Sequence, residues 1–404
     1  MIKASQLPTI DRQSCIDFLA RMVQHKSYSE TEEERILARY MNEQMSQQGL
    51  ESQLQSVPGD RLNAIGVWKG TGGGSSLLFN GHLDTNPVTE GWTVDPWQGK
   101  VDEQFIYGIG VSNMKAGDAA YFCAVKTLMD AGFKLKGDVI LTYVVGELQG
   151  GIGTIAAIEH GIKADYFINS EPTDLQALTM HAGSLMFTIE LTGSTRHLSK
   201  REEAVDALAA AAELIPELNA MTFHGVKTAE HQKINRCHVG SLHSALGKQL
   251  DEWRPPQVAD FARLKGSARF APGQNVATVL EDIQARIDQL CARHPGLSGI
   301  VIDDSHDRPL MAPFEVDPDS KIVKAVNQAY QQVRGEEQPT GAITPPAFYG
   351  TDAAHFYQRL GMQGVVCGPG GKYNTMPDER VELNDFIDMI RIYMLAIIEI
   401  CELA

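Results

Sequence analysis

Apolar positions recur at two spacings along this chain, and the changes between them outline its elements. Ile16, Leu19, Ala20 and Val23 fall at helical spacing and predict a helix over 10–23. A second stripe, Ile36, Leu37, Tyr40, Met41 and Met45, predicts another helix that stops at Gly49. The Ser29-Glu30-Thr31-Glu32 stretch ahead of it has the form of a capping box. Short apolar runs over 62–68, 76–79, 139–145 and 166–168 read as strands, the first two separated by the glycine-rich turn 70–75. A helix through Ala124, Leu128 and Met129, ended by Gly132, lies between the second and third. The last three runs stop at polar clusters holding His82 and Asp84, Glu147, and Glu171 in turn. Those side chains are therefore expected at one edge of a buried sheet, where α/β proteins place their chemistry.

From about residue 184 the texture changes to a strand over 185–191, a helix over 203–218, strands over 233–239 and 266–270, and a helix over 275–291. The first texture then returns, with a helix over 320–333, the loop Gly350-Thr351-Asp352, a strand over 363–366 and a final helix over 384–401. This predicts an α/β fold, a mixed sheet covered by helices, formed by 1–183 and 304–404. Residues 184–303 are expected as an inserted α+β sandwich domain, and hinge closure about the two joins is plausible. No internal repeat is visible.

Composition narrows the partners. With 404 residues, two domains are the first expectation, and a formal net charge of −16 argues against nucleic acid and anionic membrane as partners. No secretory signal is visible near the start, and the apolar stretch 392–400 is too short to span a bilayer. Six scattered cysteines without a C-x-x-C pair fit free thiols and a cytoplasmic location.

Chemistry concentrates in a few places. His82 and Asp84 are two apart, so the carboxylate can take the second ring N–H of the imidazole and orient it, as around a metal-ligating His. The same stretch is equally compatible with a loop His beside a solvated Asp. Gly108, Gly110 and Gly117 flank a helix entrance where the backbone can approach another group. Trp92 and Trp97 suit a pocket wall or core packing alike. Cys367 has no His beside it in sequence and reads as a buried thiol.

Taken together, Gly81-His82-Leu83-Asp84-Thr85, Ser112-Asn113-Met114-Lys115-x-Gly117, Glu147-x-x-Gly150-Gly151, Glu171-Pro172-Thr173, Gly193-x-x-x-His197, Arg269-x-x-Pro272-Gly273 and Pro377-Asp378-Glu379 resemble the di-zinc exopeptidases. That family includes acetylornithine deacetylase, succinyl-diaminopimelate desuccinylase, aminoacylase and glutamate carboxypeptidase, and the resemblance runs through nearly the whole chain. It implies hydrolysis of an amide bond in a small N-acyl amino acid or dipeptide-like substrate carrying a carboxylate. His82 and Glu171 match the ligands of one zinc, Asp84 the residue that orients the His, and Glu147 the general base. His197 matches the histidine that stabilises the oxyanion, often in the partner subunit's site, and Arg269 the group for the substrate carboxylate. The Gly350 and Gly370 loops would line the pocket. The inserted domain would serve as lid and dimerisation surface, giving a homodimer.

The departures bear on the metal. The family's bridging Asp falls on Asn113, the second metal's Glu on Leu148 and its His on Thr375. Leucine cannot ligate, and a threonine hydroxyl is a poor substitute for imidazole. Asn113 and Thr375 then read as substrate contacts, with the Asn113 carbonyl a further candidate ligand. One reading is a single zinc or cobalt ion on His82, Glu171 and Asn113. Another is a metal-free enzyme acting on a carbon–nitrogen bond through Glu147 and His197, and a third is a non-catalytic ligand-binding paralogue. His181, His355 or Cys367 could supply a missing ligand.

Overall fold

The strand Leu77–His82 is buried at every position and sits inside an eight-stranded sheet. In this computed structural model, which describes residues 2–252, 256–305 and 308–404, it runs parallel to Val139–Val144 on one side and to Tyr166–Asn169 on the other. Gln363–Val366 continues the parallel set beyond Tyr166–Asn169, whereas Arg61–Trp68 and Glu51–Val57 extend the other side antiparallel. Buried parallel strands need apolar side chains on both faces, which is why these segments read as unbroken apolar runs. Glu51–Val57 escapes such a reading because it is a half-exposed edge strand of mostly polar residues.

Helices Ala116–Asp130 and Leu383–Cys401 pack on each other and on the His82 strand. The second of these is buried along most of its length, so its apolar character serves the core and not a membrane. Among the described residues no helix is long and apolar enough to cross a membrane.

The chain divides into two compact units. One comprises Met1–Met180, Phe314–Pro346 and Thr351–Ala404, and the other His181–Pro313 with Ala347–Gly350. The second unit has a four-stranded antiparallel sheet in the order Arg236–Ala245, Phe261–Phe270, Gly183–Thr192, Ser298–Asp303. Along Gly183–Thr192, Leu185, Phe187, Ile189 and Leu191 are buried while Met186 and Thr192 are exposed, the alternation of a sheet covered on one face. Helices Ala207–Asn219 and Val276–Arg293 bring Leu214, Ile283 and Ile287 to that face.

Local expectations shift in three places. Lys233 ends a short helix, Ala229–Lys233, and the strand begins only at Arg236. Ser298–Asp303 is a further edge strand. The helix expected from residue 203 starts at Ala207, where the Asp206 carboxylate accepts the Ala209 N–H at 3.0 Å.

Candidate active site

The parallel arrangement places the ends of three neighbouring strands side by side. His82 is the last residue of its strand, Glu147 follows Val144 by three positions, and Glu171 follows Asn169 by two. One ligand atom from each of His82, Glu147 and Glu171 lies within 4.8 Å of the others, and among the described residues this is the one such group found. Asn113 joins them, its Oδ1 lying 3.1 Å from His82 Nε2, with Glu171 Oε1 3.6 Å from the same nitrogen.

The loop carrying Glu147 is fixed from several sides. Gly146, Gly150 and Gly151 adopt φ of 78°, 84° and 77°, a left-handed conformation that favours glycine. At Gly151 a Cβ would also overlap Asp352 Oδ1 and His355 Nε2, so the loop can lie on those side chains only with glycine there. Asp84 then supplies the anchor. Its carboxylate accepts the N–H groups of Gly146 (2.8 Å), Glu147 (3.3 Å) and Leu148 (3.3 Å).

This corrects the role expected of Asp84. His82 Nδ1 donates to the backbone carbonyl of Asp84 at 2.9 Å, while the Asp84 carboxylate stands 3.6 Å from that nitrogen. Three backbone N–H donors converge on the carboxylate, so it serves the loop and leaves the imidazole to its own carbonyl. The supposed capping box is redirected as well. Helix Glu32–Gln47 is preceded by Thr31, and the Ser29 hydroxyl lies 3.2 Å from Asp84 and 2.8 Å from Gln149 Oε1. Gln149 Oε1 also accepts from Arg61 (2.8 Å), whose guanidinium forms a buried ion pair with Glu34.

The Asn113 segment, Val111–Lys115, is held by a residue whose role the sequence did not reveal. The buried Glu379 carboxylate accepts the N–H groups of Ser112 (2.8 Å) and Asn113 (3.0 Å). Its neighbour Asp378 accepts those of Thr93 (2.8 Å) and Val94 (3.2 Å). The Pro377-Asp378-Glu379 motif thus fastens two loops, and only the long-range pairing shows it.

Burial and charge set the protonation pattern. Burial alone would depress the His82 imidazole, but the carboxylates of Glu171, Asp84, Glu147 and Asp118 overcome it and raise it to about 10. Burial raises Glu171 to about 7, opposed by His82 and reinforced by Asp352 and Asp84. Burial, then Glu171, pushes Glu147 well above the usual carboxylate range. With His82 Nδ1 engaged as a donor, Nε2 faces Asn113 Oδ1 and Glu171 Oε1, and the Glu147 carboxylate lies close by. An imidazole nitrogen and carboxylate oxygens are donors that suit zinc or cobalt, so the residues present fit one such ion.

Other expected residues fall elsewhere. Thr375 is exposed, has φ of 55°, and donates its hydroxyl to Asn374 Oδ1 in its own loop at 2.8 Å. Leu148 offers only its backbone N–H. Gly370 packs beside Ser112, where a Cβ would come within 2.6 Å of the hydroxyl oxygen. Gly350 belongs to the second unit and packs on Met311. His197, also in the second unit, is exposed and accepts the Ser199 N–H on Nδ1 at 3.2 Å. In that unit Arg269 donates to the hydroxyls of Ser184 and Ser267. None of the three residues considered as extra ligands joins the group. His355 Nε2 donates to Gly150 O (2.9 Å), His181 Nδ1 meets Ala182 O (3.0 Å), and burial pushes the Cys367 thiol up to about 12.

The sequence profile described as peptidase family M20/M25/M40 matches residues 78–399, most of the chain. This chain belongs to that family. An N-formyl-4-amino-5-aminomethyl-2-methylpyrimidine deformylase of Bacillus subtilis (strain 168) is 28% identical over 377 residues, covering 85% of this chain and 84% of that protein. A succinyl-diaminopimelate desuccinylase of Nitrosomonas europaea is 26% identical over 345 residues, covering 82% and 85%. The M20 family metallo-carboxypeptidase Sso-CP2 of Sulfolobus solfataricus shares the fold, with TM-score 0.75 at 18% identity over 96% of this chain and 98% of that one. This M20 member thus stands among amide-bond hydrolases of small N-acyl substrates, with Asn113, Leu148 and Thr375 at three positions where the resemblance implies metal ligands.

Proposed function

We propose that the protein hydrolyses the amide bond of a small N-acyl substrate at the His82, Glu147 and Glu171 group, with a single divalent cation. The supporting observation is the convergence of three ligand atoms within 4.8 Å at the edge of a buried parallel sheet. His82 and Glu171, with the Asn113 carbonyl beside them, would hold the cation. When bound, it supplies polarisation of the amide carbonyl and acidification of a water.

The protein's own groups do the rest. Glu147 takes the proton of the attacking water and returns it to the leaving amine, and its loop is fixed so that the carboxylate need not reorganise. Proton transfer from such a group contributes roughly 10²–10⁴-fold. The Asp84 carbonyl holds Nδ1–H of His82 and so keeps Nε2 directed at Asn113 and Glu171. In the second unit, His197 is assigned the oxyanion and Arg269 the substrate carboxylate. Arg269→Ala should raise KM for N-acyl amino acids while sparing uncharged formamides. The second unit is read as the lid and dimer surface, and sedimentation should give a homodimer. The free cysteines among the described residues agree with a cytoplasmic setting.

One observation favours a metal-free variant of this reading. His82 Nε2 lies 3.1 Å from Asn113 Oδ1, a contact in which a ring N–H can donate to the amide oxygen with no ion between them. Elemental analysis combined with turnover of N-formyl, N-acetyl and N-succinyl amines separates the two. About one equivalent of zinc or cobalt and chelator-sensitive turnover are expected. Turnover by metal-free protein, untouched by chelator but lost in Glu147→Gln and His197→Ala, would overturn the metal-dependent reading. Ligand binding without turnover across the panel would overturn both.

A further inference from the structure

The second unit holds a pair of arginines, of which the reading above uses one. Arg236, the first residue of strand Arg236–Ala245, stands directly opposite Arg269 on strand Phe261–Phe270. Partners in such a pair carry their side chains on one face, with Cβ atoms about 4.5–5.5 Å apart. Their neighbours Cys237, Ala268 and Phe270 belong to the core under the helices, so the two arginines share the uncovered face. Like charges set directly opposite one another are destabilising, and the pairing calls for a reason.

Further along that face the cations are neutralised. Arg263 pairs with Glu190 at 2.9 Å, and Lys265 with Asp304 at 2.9 Å. Arg236 has no ion pair among the described residues; its guanidinium lies over the Phe348 ring, 3.8 Å from the centroid. Phe348 comes from Ala347–Gly350, the short return of the chain into this unit. Arg269 is held by the Ser184 and Ser267 hydroxyls, the first from the strand on its other side. A stacked guanidinium keeps its plane and presents the N–H groups at its edge, a fork that suits a carboxylate. Two oriented guanidinium groups therefore stand side by side, one seated on hydroxyls and the other on a ring.

We propose that Arg236 is a specificity-determining residue that reads a second carboxylate on the substrate, beside the one assigned to Arg269. The preferred substrates are then N-acyl derivatives of aspartate and glutamate, whose two carboxylates sit on one short chain, over those of neutral amino acids. This rests on the reading of Arg269 given above.

The test uses matched pairs, N-formyl- and N-acetylglutamate against the corresponding glutamines, which differ by one charge at nearly constant shape. Turnover gives the ratio of kcat/KM within each pair, and calorimetry the ratio of Kd, for the wild type, Arg236→Gln and Arg263→Gln. The wild type is expected to favour the glutamate member at least about tenfold. Arg236→Gln is expected to bring the ratio to about one, chiefly through KM. Arg263→Gln, which removes a charge already neutralised by Glu190 on the same face, is expected to keep the wild-type preference. Turnover with a wild-type ratio near one, or a preference that survives Arg236→Gln, overturns the proposal and leaves the hydrolase reading standing. A preference lost equally in Arg263→Gln also overturns it, because the general field of the face would then be the cause. Absence of turnover with a Kd preference that Arg236→Gln abolishes overturns the hydrolase reading and sustains the two-carboxylate site. Absence of both turnover and preference overturns the two together.

Discussion

Two sides of the same catalytic edge have been treated differently in this chain. Around His82 the supporting bonds are in place: the imidazole on the Asp84 carbonyl, and the Asp84 carboxylate on three N–H groups of the Glu147 loop. Around Leu148 and Thr375 the side chains are half-buried and exposed, and the Thr375 hydroxyl is spent on its neighbour Asn374. Leu148 and Thr375, the two positions that the resemblance gives to a second metal alone, thus offer no ligand, while Asn113 at the bridging position keeps its carbonyl beside His82. The difference teaches that a metal site is maintained by its supporting hydrogen bonds as much as by its ligands, because a carboxylate or imidazole without them would be free to turn away.

The contrast can be broken most severely at its intact side. Glu147→Gln removes the carboxylate to which the proposed reaction gives the proton, so on that reading turnover should fall by roughly 10²–10⁴-fold with substrate affinity retained, as steady-state and binding measurements would show. Next in size is the buried Glu34–Arg61 pair behind Gln149. Arg61→Ala leaves a carboxylate stranded that is already raised to about 7 by burial, and should cost about 3–5 kcal/mol in denaturant unfolding.

Acid should strike the same loop. His355 donates to Gly150, and burial holds its imidazole at about 4, below the ordinary 6.5. The folded protein keeps it neutral while the unfolded chain gains a proton, so its contribution is intact above about pH 6.5 and is lost as pH falls through about 4. The shift corresponds to on the order of 3 kcal/mol, and urea unfolding of the wild type and His355→Gln at about pH 7 and about pH 4.5 should show a flatter profile in the variant.

The altered side should respond in the opposite manner. Thr375→Ala should change kcat/KM by less than about twofold and stability by less than about 0.5 kcal/mol. Asn113→Asp, Leu148→Glu and Thr375→His together should raise bound zinc from about one to about two equivalents by elemental analysis, sharpening the contrast by undoing it.

Much of this site could be read from the chain because buried parallel strands leave unbroken apolar runs and their ends leave polar clusters. Those clusters put His82, Glu147 and Glu171 at one edge of the sheet. Periodicity could not reveal Glu379 fastening the Asn113 segment, since its partners lie over 260 positions away, at Ser112 and Asn113. Nor could it show that Ser29 serves Asp84 instead of capping a helix, because the two roles use the same hydroxyl and the choice depends on which acceptor folding brings near.

By itself, then, the sequence determined the α/β character, the interruption by a second texture near residue 184, and the edge on which the chemistry falls. Side-chain periodicity and strand burial are local properties, and they carry those features. Only the tertiary structure decided what each polar group does there: the Asp84 carboxylate turned to the Glu147 loop, and Thr375 turned away. A polar side chain chooses among donors and acceptors by distance, and residues remote in sequence set those distances.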